Sequence, residues 1–132
     1  MPTESYPVAA VWAGRLFSAL LVLALLADGA VALFAPAMLK ADMDATGFAA
    51  DSARPIGIIV IVCAVLYAVP RTATLGAILI TGFLGGAICT HFRLGEVGSP
   101  PQLVCLALGI MTWGGLYLRN AQVRRLLPLT GL

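Results

Sequence analysis

Between Arg71 and His91 the chain runs for nineteen residues, Thr72 to Thr90, without a single charge. At 1.5 Å per residue this run makes a helix of about 28 Å, close to the ~30 Å hydrocarbon core of a bilayer. Glycine or alanine occupies positions 73, 76, 77, 82, 85, 86 and 87. In water that many glycines would weaken a helix. In lipid the backbone must satisfy its own hydrogen bonds, so the helix forms regardless, and the glycines let neighbouring helices approach closely. The segment reads as the central helix of a membrane bundle, with the rest of the chain packed around it.

Composition supports this reading. The chain of 132 residues is 61% hydrophobic and only 11% charged, against roughly 25% charged in a soluble domain. A water-soluble domain of this size has too little interior to hide so many apolar side chains. The net charge of +2 is small and spread along the chain, which gives no footprint for nucleic acid. One integral membrane domain spanning 1–132 is the economical reading.

Four apolar stretches predict helices over about 11–35, 53–69, 72–93 and 101–118. The expected fold is all-α, a transmembrane four-helix bundle with a short interfacial segment between its first two helices. The first stretch is too long for the apolar core of a signal peptide, roughly 7–15 residues, and is read as a retained helix. Residues 1–9 form a polar lead. In the interfacial segment Pro36 starts a short helix and Gly47 ends it, with Met38, Leu39 and Met43 toward the membrane. Ser52 is placed to cap the second helix. The residues from 119 to 132 carry arginines among leucines and read as a surface tail.

Four crossings put both termini on one side. Arg15, Arg71, Arg119, Arg124 and Arg125 fall on that side, whereas Lys40, Arg54 and Arg93 fall on the other. The positive-inside rule then places both termini in the cytoplasm.

The string GIIVIVCAVLYAVPRTATLGAILITGFLGGAICTHFRLG, Gly57 to Gly95, closely resembles the DoxX-like family of small bacterial membrane proteins. So do LFAP at Leu33–Pro36, GLYLRN at Gly115–Asn120 and VRRLLP at Val123–Pro128. The resemblance covers most of the chain and is most specific in PRTATLGAIL and the following GGA and TH. It implies a four-helix membrane bundle and an association with sulfur, thiol or quinone redox systems. Two positions depart from the family pattern. Ala32 stands where members often carry a lysine late in the first helix, and Val60 where they often carry a glutamate in the second. Losing both is physically consistent, because either one alone would be an unpaired charge in lipid.

Asp28 is the most informative single residue, a carboxylate inside the first apolar run. Such a group is expensive unless it faces the bundle interior and finds a partner. Counted from the inner helix ends, Asp28 and His91 lie at similar depth, about 24–27 Å in. Arg54 and Arg93 fall near the same end. These four residues outline a hypothetical outer polar pocket for a ligand, with Cys89 and Cys105 at its margin. The alternative is an ion pair that locks two helices. Cys89 and Cys105 lie at depths compatible with a disulfide, but no CxxC pair exists and redox chemistry is not the favoured reading. One histidine and scattered acids make a poor metal site, and no catalytic motif is present. On the third helix Gly82 and Gly86 have GxxxG spacing, with Gly85 alongside. These serve either packing within the bundle or self-association.

Three functions follow. The first is a non-catalytic accessory or anchoring subunit of a membrane redox system, in contact with quinone or lipid. The second is a chaperone or assembly factor that binds other proteins' transmembrane helices. The third and weakest is a small-molecule transporter, since no inverted repeat is visible.

Overall fold

A computed structural model describes residues 6–127 and 129. The first five residues of the polar lead, and positions 128 and 130–132 of the expected tail, lie outside the described residues. Every regular element among the described residues is helical. The long helices are α1 (Val8–Phe34), α3 (Ala53–Ala68), α4 (Ala73–Arg93) and α5 (Pro100–Arg119); α2 (Lys40–Thr46) and α6 (Ala121–Leu126) are short. Of these, α1, α4 and α5 are long and apolar enough to cross a membrane. The apolar α3 has 16 residues, which is shorter. The chain is a multi-pass membrane protein, and its outward faces are built of residues such as Leu20, Leu23, Ile58, Val62, Ile78 and Ile110.

The helices form a ring. α1 packs on α3 and α5, and α4 closes the ring by packing on the same two. No helix is central, so α4 is a wall of the bundle rather than its axis. The reason lies in its sequence. Only Ala73, Gly76, Ala77, Ile80 and Leu84 of α4 are buried, a single stripe that serves two neighbours.

Glycines set three close crossings. A Cβ at Gly14 of α1 would lie 2.7 Å from the Leu118 Cβ and 2.8 Å from the Gly115 carbonyl oxygen of α5. A Cβ at Gly57 of α3 would lie 2.7 Å from the Ala32 Cβ of α1. A Cβ at Gly76 of α4 would strike the backbone of Leu66 and Tyr67 on α3. These contacts run Gly14 against Arg119 and Ser18 against Gly115, so α1 and α5 are antiparallel and the start of one meets the end of the other.

The interfacial segment follows expectation. Pro36–Leu39 is a 3-10 turn leading into α2, and Gly47 ends α2 at φ 79° with its N–H toward Asp44 and Met43. Ser52 occupies the N-cap position of α3, but its hydroxyl makes no capping bond, because the preceding turn Ala50–Ser52 already runs into the helix. The tail also differs. Arg119 belongs to α5, and α6 folds back so that Val123 is buried. Asn120 makes that reversal: its side-chain oxygen accepts from the backbone N–H of Gln122 and Val123.

Candidate functional site

At the end of the bundle where α1 and α4 finish, the six residues singled out from sequence are not joined into one hydrogen-bonded pocket among the described residues. His91 turns to Glu96, with Nδ1 2.7 Å from the carboxylate oxygen. Arg93 donates to the Thr46 carbonyl at 3.0 Å and so ties the end of α4 to the end of α2. Arg54 is exposed at the start of α3. Asp28 is exposed on α1 and forms no ion pair among the described residues. The antiparallel register of α1 and α5 carries it opposite Cys105, within electrostatic reach of that thiol. The ring order explains the separation. α1 and α4 stand across from each other, so Asp28 meets α5 instead of His91. Cys89 is exposed, Cys105 half-buried and Cys63 buried, and all three are free thiols. No three of His, Cys, Asp and Glu come together among the described residues in a way that could hold a metal.

The small residues of α4 divide in two. Gly76 is jammed against α3, whereas Gly82, Gly85 and Gly86 have nothing within 4 Å of where a Cβ would stand. These three glycines therefore take no part in packing among the described residues.

The densest polar arrangement is at the other end of the bundle. Tyr67 of α3 is completely buried, and its hydroxyl donates to the Thr112 carbonyl of α5 at 2.7 Å. A carbonyl already bonded in its own helix keeps a second lone pair for this. The same hydroxyl lies 3.2 Å from the Ser18 Oγ of α1. Arg119 donates through Nε to Ser18 Oγ at 2.9 Å and through Nη2 to the Tyr67 carbonyl at 3.1 Å. Its guanidinium sits 5.1 Å from the centroid of the Tyr67 ring. Thr112 turns its own hydroxyl back to the Leu108 carbonyl. The group stitches α1, α3 and α5 together. Gly115 makes room for it, since a Cβ there would lie 2.8 Å from Ser18 Oγ.

Chemically this cluster holds geometry rather than reactivity. Its polar atoms spend their hydrogen bonds on one another, which is what hydrocarbon demands. It also fixes a guanidinium that has no carboxylate partner among the described residues. The reading from sequence alone did not assemble it. In the sequence Ser18 lies inside the first apolar run, Tyr67 near the end of the second and Arg119 just past the fourth. The available signal was depth, because a serine, a tyrosine and an arginine recur at one level counted from the same helix ends.

No curated protein and no solved structure matches the chain. The string through α3 and α4, the departures at Ala32 and Val60 and most of α1 and α5 sit within residues 16–115, the span over which the chain matches the model of the DoxX-like family. The chain belongs to that DoxX-like family.

Proposed function

We propose that this protein is a non-catalytic accessory or anchoring subunit of a thiol- or quinone-linked membrane redox system, and that it meets its partner through the open face of α4. One observation carries the reading: Gly82, Gly85 and Gly86 leave a strip of α4 against which none of the described residues packs. In lipid such a strip gains nothing by facing acyl chains, but it lets a second helix come close enough for dense van der Waals contact. The redox character of the partner comes from the family. In this reading the chain crosses the inner membrane four times, with both termini in the cytoplasm beside five arginines.

The test is a gently solubilised complex assayed for thiol- or quinone-dependent electron transfer, with Gly86→Leu as the probe. A Cβ at Gly86 has nothing within 4 Å among the described residues, so the variant should melt like the parent while the partner and its electron-transfer activity are lost. A complex that survives Gly86→Leu intact would refute the interface. Retention of membrane clients with no electron transfer would instead favour the assembly-factor reading. Loss of a homodimer alone would make the strip a self-association face.

A further inference from the structure

We propose that the bundle end carrying Arg119, Arg124 and Arg125 holds an anionic phospholipid. Its phosphate lies against the arginines, and one acyl chain lies in a groove lined by Trp113, Gly114, Tyr117, Leu118, Val123 and Leu127. The inference is independent of the partner assigned to α4.

The groove has a volume of about 360 Å³ and an almost wholly apolar lining. It exists because α6 folds back on the end of α5 and buries Val123. Arg124 sits at its end. Through Nη1 it donates to the carbonyls of Tyr117 and Leu118, at 2.9 and 2.8 Å, and both of those residues line the groove. The Arg124 guanidinium also stacks 3.8 Å from the centroid of the Tyr6 ring, which holds it in place. Its Nε and Nη2 have no acceptor among the described residues, and neither does Nη1 of Arg119. Arg125 is exposed, and no carboxylate pairs with any of the three among the described residues.

These facts select one kind of occupant. Oriented guanidinium donors call for an anion with several acceptor oxygens, and phosphate fits that geometry. The apolar groove beside them calls for hydrocarbon. A phospholipid supplies both at once, whereas free phosphate would leave the groove uncovered. A zwitterionic headgroup brings its own cation to the arginines, so an anionic headgroup is preferred, as basic pockets at helix ends generally prefer it.

The experiment is native mass spectrometry of the full chain in mild detergent with equal amounts of phosphatidylglycerol and phosphatidylcholine. The protein should retain phosphatidylglycerol about fivefold more. Arg125→Gln, which breaks no hydrogen bond, should bring the ratio toward one, and adding Arg124→Gln should complete the loss. Gly114→Leu puts a side chain into the groove from a position where an added Cβ has nothing within 4 Å. It should reduce retention of both lipids while leaving the arginines in place. Millimolar inorganic phosphate should displace neither lipid. Equal retention of the two lipids by the parent would overturn the proposal. So would undiminished preference in the Arg124→Gln/Arg125→Gln variant, or undiminished retention in Gly114→Leu. Full displacement by phosphate would make this a site for the free anion and overturn the lipid assignment.

Discussion

Among the described residues, Tyr67 and Thr112, which are joined to each other, carry the only hydroxyls on the large fully buried side chains. An unpaired hydroxyl in this setting would cost several kcal/mol, so the native helix arrangement is the one that satisfies it. Replacing the hydroxyl with hydrogen removes the bond and the need for it together. Tyr67→Phe should therefore lose only about 1 kcal/mol, read as a shift in unfolding midpoint in a mixed-micelle denaturation. Arg119 is a harsher case. Its fork reaches Ser18 on α1 and the Tyr67 carbonyl on α3 from one planar group while stacking on the ring. Lysine offers a point charge without that fork, so Arg119→Lys should fall well short of the parent, and Arg119→Ala should lose about 2 kcal/mol in the same assay. Either variant matching the parent would show that the cluster does not hold the helices. Periodicity gave no access to these bonds. It ranks faces of a helix but does not say that α1, α3 and α5 converge on one tyrosine. The neighbour of Asp28 is hidden from periodicity in the same way, because it depends on the order of helices around the ring.

Two glycines on α4 look alike in the sequence and differ in the fold. Gly76 lies where a side chain would press on the backbone of α3, which cannot swing aside as a side chain can. Gly82 lies six residues on, with open space beside it. Gly76→Ala should push α3 and α4 apart, at about 1–3 kcal/mol, and loosen the Tyr67 carbonyl that Arg119 binds. Gly82→Ala should be neutral or slightly stabilising in the isolated protein, since alanine is the better helix former. Thermal melts of the two variants, side by side in one detergent, check the contrast; equal losses would mean that α4 packs differently. The abundance of small residues on α4 was legible in the sequence. Which of them touch was not, because the rows through Gly82 and Gly86 satisfy the same spacing rule as the row that packs. The trapped tail was also illegible, since burial of Val123 depends on one asparagine cap rather than on any apolar run.

The whole molecule is held together by an even pairing of antiparallel helices, and that makes its placement in the membrane testable. The start of α1 lies against the end of α5, so these two helix ends belong to one end of the bundle whatever the bilayer does. The count of crossings then hangs on α3, whose 16 residues span about 24 Å, less than the hydrocarbon core. A bilayer tolerates that mismatch by thinning locally or by letting flanking residues reach the interface, and Arg54 and Arg71 bracket the helix for the purpose. The length of the apolar stretches was the part of the fold the sequence stated most clearly, because it is set by the thickness of the solvent. With the native cysteines replaced by alanine, Asp44→Cys on α2 should react with a membrane-impermeant maleimide added to intact cells. Ala121→Cys at the start of α6 should react only after the membrane is opened. Two cysteines that label from opposite sides in this order require an odd number of crossings between them, which the segments α3, α4 and α5 supply only if the short α3 crosses as well. The reverse order of labelling would invert the orientation read from the arginines, and labelling of both from one side would remove α3 from the membrane.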